Sequence, residues 1–216
     1  MNLPQFRIRL LLLLAAAVPL LAGCFPAAVV GVGTGALVIA DRRVPENYLA
    51  DEGIELRASN RIGGQFGSKV HVDVTSFNRM VLIVGEVPDA ETRAAVEKVV
   101  AGVPNVKSIV NELQIAGPTS LPARSNDAYL TSKVKARFID ANKFAVNHVK
   151  VITEAGTVYL MGLVTQREAD DAVQIARTTG GVQKVVRVFE IVSEDEARRL
   201  DMRKNEPVEA EKVPAQ

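Results

Sequence analysis

The sequence predicts an α+β protein made of two tandem copies of one α-β-β-α-β unit. Each copy is expected to be a three-stranded mixed sheet packed against two helices. Three observations predict this. First, residues 157–173, TVYLMGLVTQREADDAV, read as a strand, a stop and a helix: Val158, Leu160 and Gly162 alternate with Tyr159 and Met161, and Ala169, Ala172, Val173 and Ala176 share one helical face. Gly162 is read as the end of the strand. Second, residues 79–96, RMVLIVGEVPDAETRAAV, repeat the unit. An offset of 77 brings Gly162 onto Gly85, Val164 onto Val87, Glu168 onto Glu91, Val173 onto Val96 and His148-Val149 onto His71-Val72. Third, the chain of 216 residues is 48% hydrophobic and 24% charged, an ordinary globular balance. Repeats of roughly 65–70 residues lie near the lower limit for independent stability, which predicts a simple helix-on-sheet layer with its twin as a further packing surface.

Composition also excludes. A formal net charge of +1 does not advertise nucleic-acid binding, and a single cysteine permits neither an intrachain disulfide nor a cysteine-based metal cluster.

Residues 1–23 read as a secretory signal peptide: Arg7 and Arg9 form a basic region, and the apolar run from Leu10 to Leu21 is too short for an ordinary spanning helix. Leu21-Ala22-Gly23-Cys24 resembles a bacterial lipobox, which implies a diacylglycerol thioether and an N-acyl chain on Cys24. This covalent lipid is the one non-protein group expected, and no other cofactor is. At about 0.8 kcal/mol per buried CH₂, three chains make attachment effectively permanent. Phe25 stands where an aspartate would resemble an inner-membrane retention signal, which favours the periplasmic face of the outer membrane. Residues 24–48 are expected to be a small-residue tether. Gly31-Val32-Gly33-Thr34-Gly35-Ala36, with Asp51 twenty residues after Gly31, imitates a dinucleotide fingerprint, but it lacks the strand–turn–helix context that the chemistry needs. Arg42 and Arg43 are expected in a solvated linker, with lipid headgroups as the other reading.

The first repeat spans residues 49–116. Ile54, Ala58 and Ile62 predict a helix closed by Gly63-Gly64; Val70, Val72 and Val74 a strand; Phe77-Asn78-Arg79 a hairpin turn; Val81 and Ile83 the second strand. Asp89 to Thr92 opens the second helix, Gly102 ends it, and residues 106–115 form the last strand. A helix joins strands two and three, so they should run parallel. Residues 117–125 are a linker. In the second repeat, residues 126–192, Ser125-Asn126-Asp127 is expected to cap a helix whose buried stripe is Leu130, Val134 and Phe138. Val149 and Val151 follow as a strand, then the turn Glu154-Ala155-Gly156, the unit described first, and a final strand over residues 182–191. Residues 193–216 form a charged tail with 7 acids and 5 bases; a short helix could extend over 194–204 with an Asp195–Arg199 pair, and Pro207 and Pro214 argue for disorder beyond it.

With these residues in place a resemblance is plain. Gly85-Glu86-Val87 and Gly162-Leu163-Val164, an alanine-bearing helix, then Gly102-Val103 and Gly181-Val182 before a last strand resemble the BON domain. The resemblance covers nearly all of residues 49–192, and the lipobox adds to it. Arg187, where the first repeat has Asn111, and the long tail depart from the pattern. The family is associated with phospholipid binding and envelope integrity, and has no known catalytic residues.

The copies differ in charge. Residues 49–116 carry 7 Lys/Arg and 9 Asp/Glu, whereas residues 126–192 carry 9 and 7. Tyr129, Lys133 and Arg137 form one helical stripe beside the buried one, which suits a headgroup interface; a solvated helix is the plain alternative. Lys135, Lys143 and Phe144 are candidates to extend it. His71 and His148 occupy equivalent strand positions with no carboxylate spaced to complete a metal site, so exposed strand residues are expected and no metal. No nucleophile–base pair can be assembled, which predicts a protein that is not an enzyme. The expected partner is an anionic phospholipid membrane. The alternative is a protein-interaction scaffold serving the outer-membrane assembly machinery.

Overall fold

Helix α1 (Pro45–Phe66) opens the computed structural model, which describes residues 41–203. Cys24, the glycine-rich stretch at 31–36 and residues 204–216 lie outside the described residues. Proline starts the helix where no N–H is needed. Asp51, Ile54, Ala58 and Ile62 bury one face. Gly63 and Gly64, expected to close the helix, lie within it; Gly67, with φ +57°, ends it by donating its N–H to the Gly63 carbonyl. Strands β1 (His71–Phe77) and β2 (Met80–Val87) form an antiparallel hairpin. Helix α2 (Ala90–Ala101), capped by the Asp89 side chain on the Thr92 N–H, leads to β3 (Ser108–Asn111), parallel to β2. The last strand expected over 106–115 is broken: Leu113 turns into the core, and β4 (Gln114–Ile115) resumes the parallel pairing with β2.

The second repeat follows the same order. Helix α3 (Leu121–Ala141) precedes the hairpin of β5 (Lys150–Glu154) and β6 (Thr157–Val164), α4 (Gln166–Arg177), and β7 (Lys184–Ile191) parallel to β6. Thr165 and Glu168 close a reciprocal capping box at the start of α4. Helix α3 starts earlier than expected, with Ser120 as its cap, so residues 121–125 are its first turn and not a linker. Asp127, expected as a cap, is buried inside the helix. Its carboxylate accepts the N–H groups of Ala155 and Gly156, both at 2.9 Å, and so holds the tip of the β5–β6 hairpin. Asp51 does the same for Asn78 and Arg79, at 2.8 and 2.7 Å. Both turns have two successive residues with positive φ, the twist that a two-residue hairpin requires.

Gly162 does not end its strand, because β6 continues to Val164. Its lack of a side chain has another cause: a Cβ there would lie 2.2 Å from the His148 carbonyl oxygen. At Gly85 a Cβ would lie 2.1 Å from the His71 carbonyl oxygen, and φ is +116°.

Among the described residues three apolar clusters form the core. One joins α1 and α2 to the inner face of the first sheet, through Ile54, Ala58, Val81, Ile83, Val96 and Val100. Another joins α3 and α4 to the second sheet through Val134, Phe138, Val158, Leu160 and Ala172. The third lies between the sheets: Phe77, Leu82 and Val84 from the first repeat meet Tyr159, Met161, Leu163 and Val188 from the second. The layer order is therefore helix, sheet, sheet, helix, with β2 and β6 covered on both faces.

Two charged segments depart from expectation. The tail continues as α5 (Glu194–Arg203), which buries Ala197. Its exposed pairs are Asp195–Arg198 and Glu196–Arg199, not Asp195–Arg199. Arg42 and Arg43 are neither solvated nor directed at headgroups. Arg42 reaches Glu168 at 2.6 Å and Asp201 at 2.9 Å, and donates to the Leu163 carbonyl at 3.2 Å. Arg43 pairs with Asp41 and Asp51 and lies over the rings of Tyr48 and Phe77.

Candidate functional site

The buried stripe of α3, Leu130, Val134 and Phe138, fixes which side of the helix faces out. That outer side carries Tyr129, 62% exposed, Ile139, 63% exposed, and Leu121, with small Ser and Ala residues and one acid, Asp140, among them. Lys135 is exposed beside them. Ile139 and Leu121 are absent from the sequence-derived set. Ile139 could have been found by its place off the buried stripe, whereas Leu121 was hidden by the late placement of the helix start.

The predicted cations divide by role. Lys133 donates to the Gly180 carbonyl at 2.8 Å, with its Nζ 5.9 Å from the centre of the Tyr129 ring. Arg137 donates to the Ile175 carbonyl at 2.8 Å and to the hydroxyls of Thr178 and Thr179. Arg137 thus meets the last turn of α4, where backbone carbonyls concentrate negative charge, and Lys133 meets the loop that follows it. Lys143 pairs with Asp171 at 3.0 Å. Phe144 is a correction: it is buried in the core of the second repeat, edge-to-face on Phe138 with ring centres 5.1 Å apart, and has no surface to offer a headgroup. The outer side of α1 also exposes apolar groups, Leu49 and Leu56, but sets Glu46 and Glu52 among them.

A second polar constellation lies where the repeats meet. His71 and Glu86 are register partners on β1 and β2, and Glu154 comes from the end of β5. One ligating atom from each lies within 4.8 Å of the others. His71 Nε2 stands 3.9 Å from Glu154 Oε1, and both atoms are buried without a hydrogen-bond partner. Glu86 accepts from the backbone N–H of Thr119 at 3.0 Å and from its hydroxyl. Burial, then the nearby charges of Glu86, Asp73 and Asp127, push the Glu154 carboxyl up to about 7. A pocket of about 310 Å³ opens beside His71 and Glu154, lined by Asp73, Arg124, Asp127 and Thr131 among others. The expectation that both histidines are exposed strand residues is corrected: His71 is half-buried, and His148 is buried with its ring nitrogens 3.5 Å from Glu168 and Asp201. The His148 Nδ1 makes no hydrogen bond. Spacing could not reveal either arrangement, since one needs a cross-strand pair plus the other repeat, and the other needs α5.

No helix among the described residues is long and apolar enough to cross a membrane. The family model described as the BON domain matches residues 50–117 and 126–193. The chain is 33% identical over 183 residues to the outer membrane lipoprotein DolP of Haemophilus influenzae, covering 84% of this chain and 94% of that protein. It is 29% identical over 154 residues to a 21 kDa hemolysin of Actinobacillus pleuropneumoniae, covering 70% and 79%. Similarity to the osmotically-inducible protein Y of Escherichia coli is 28% over 143 residues, covering 64% and 71%.

Proposed function

Because this chain belongs to the BON-domain family, as a two-domain member of the DolP type, we propose that it is a lipoprotein of the outer membrane, anchored through Cys24 on the periplasmic side. It acts without catalysis: the second BON domain engages anionic phospholipid, and this supports envelope integrity. The observation that carries the lipid reading is the outer side of α3, where Tyr129 and Ile139 are both more than three-fifths exposed beside Lys135 and the partly engaged Lys133. An aromatic ring, an aliphatic side chain and cations on one helical side match the boundary between acyl chains and headgroups. Arg137 and Lys143 lie at the margin of this surface, each already bonded within the domain.

The test is sedimentation of the unlipidated chain, carrying Cys24→Ser, with vesicles. Binding should require anionic lipid and weaken with salt. Each cation near an anionic leaflet is worth about 1 kcal/mol, roughly fivefold in affinity. Lys135→Glu should therefore weaken binding by more than fivefold. Equal binding to zwitterionic vesicles, or no loss in Lys135→Glu, would sink the reading. A second reading, a scaffold for outer-membrane protein assembly, draws on the exposed Leu49 and Leu56 of α1. Under it, changing those leucines to serine abolishes function in cells while vesicle binding is retained.

A further inference from the structure

Most charges buried near the meeting of the repeats have evident complements. Arg42 answers to Glu168 and Asp201, Arg43 to Asp41 and Asp51, and Lys150 of the second repeat to Glu55 of the first at 3.0 Å. Glu154 and His71 are not so answered, and His148 Nδ1, beside Glu168, also lacks a hydrogen bond. Glu154 is only 5% exposed, yet its Oε1 makes no hydrogen bond, and the facing His71 Nε2 makes none either. A buried polar atom left in this state destabilises the fold, and an anionic one does so more. We propose that His71, Glu86 and Glu154 bind a divalent transition-metal ion, zinc being the best match, and that this ion joins the two repeats.

The donor set carries the choice of ion. One imidazole nitrogen with two carboxylate oxygens suits zinc and its neighbours, while calcium and magnesium prefer oxygen alone. The distances fit. Zinc bonds to nitrogen and carboxylate oxygen are about 2.0–2.2 Å, so two donors at a tetrahedral angle lie roughly 3.3–3.6 Å apart. The His71–Glu154 separation of 3.9 Å is slightly wider than that, and it and the widest separation, below 4.8 Å, close with rotation of the glutamate side chains onto the ion. The supporting shell is present as well. The N–H and hydroxyl of Thr119 hold both oxygens of Glu86, the kind of outer contact that orients a ligating carboxylate. Arg124 lines the same pocket, but its Nε is engaged by the Thr119 carbonyl at 3.1 Å. Two carboxylates, with Asp73 a further 3.9 Å from His71, leave the site short of positive charge, which a dication supplies. The adjoining pocket admits the ion and a water as the fourth ligand.

The experiment is calorimetric titration of zinc chloride into the Cys24→Ser chain, purified without a histidine tag and stripped with chelator. One equivalent should bind. Affinity should fall at least tenfold in His71→Gln and in Glu154→Gln, and stay unchanged in His148→Gln, the other buried histidine. Circular dichroism checks that each variant folds; Glu154→Gln keeps the side-chain volume and carries the test alone if His71→Gln does not fold. Three results would overturn the site: no uptake, undiminished uptake in Glu154→Gln, or a loss confined to His148→Gln. Calcium binding as tightly as zinc would overturn the metal class. A proton shared between Glu154 and Glu86 in place of an ion would show as no zinc uptake.

Discussion

Replacing Arg42 with methionine removes a guanidinium and leaves the aliphatic bulk. In the native protein the Arg42 and Glu168 side chains are 4% and 6% exposed and 2.6 Å apart, with Asp201, 41% exposed, as the third member. Burial by itself would raise the Glu168 carboxyl. The adjacent His148 ring, the hydrogen bonds from Arg42 and from the Thr165 N–H, and the Arg42 charge outweigh it and hold the group at about 2, below the usual 4.5. At 1.36 kcal/mol per unit that shift corresponds to about 3 kcal/mol. The network opens to solvent at Asp201, and His148 and the Thr165 N–H still hold Glu168 in the variant, so about 2 kcal/mol is the better figure. It sits below the roughly 3–5 kcal/mol measured when one partner of a fully buried pair is removed. For a folded unit of this size each kcal/mol moves the melting temperature by about 2–4 °C, so Arg42→Met should melt roughly 4–8 °C lower at neutral pH. The pH dependence follows from the sign of the shift. A carboxylate with a depressed folded pKa stabilises above its unfolded value and stops doing so as pH falls through the folded one. The gap between wild type and Arg42→Met should therefore be full above pH 4.5 and close toward pH 2. Melting followed by circular dichroism at a series of pH values checks this. A gap below about 2 °C at neutral pH, or one that does not change with acid, would refute the reasoning.

The remaining predictions concern packing and the exposed helix. Gly162→Ala places a Cβ 2.2 Å from the His148 carbonyl and should cost about 3 kcal/mol, read as a lower urea midpoint at unchanged slope. Asp127→Ala strips the acceptor from two N–H groups at the β5–β6 turn and should cost about 3 kcal/mol, with Asp127→Asn costing less. Phe144→Ala should lose about 3–5 kcal/mol in urea unfolding, as a core residue does, whereas Tyr129→Ala should stay within about 0.5 kcal/mol. In vesicle sedimentation the order should reverse: Tyr129→Asp should bind anionic vesicles poorly at wild-type stability.

The repeat was legible because its marks are local. Gly85 and Gly162, the alternation around them and the alanine face of α4 fall within about twenty residues of chain in each copy, and most of them pack in the core. The sheet-on-sheet layer was half visible: Tyr159 and Met161 alternate with Val158 and Leu160, so β6 is apolar on both sides, but nothing local says what covers the second side. Contacts that close over long distances were not legible. Arg42 meets a glutamate 126 positions later, and its sequence neighbours, charges followed by proline, look like any linker. Asp127 looked like a cap because caps and hairpin-holding aspartates use the same residue type. Phe144 follows a polar turn, and only its contact with Phe138 reveals it as core. On α3 the exposed position of Tyr129 followed from helical spacing, while the engagement of Lys133 and Arg137 by the end of α4 required the fold.

The layer shared by the two sheets limits how this protein can be taken apart. Severed near Gly117, one fragment would carry Leu82 and Val84 into water and the other Tyr159 and Met161, all of them fully covered in the intact chain. Each half would then seek a substitute cover by self-association. Deleting a repeat therefore reports on the insolubility of the remainder before it reports on any division of labour, and assigning tasks to each copy calls for point substitutions in an unbroken polypeptide. By the same logic a protein with a solitary copy has to hide the corresponding flank in some other way, and two chains placed back to back would be the simplest.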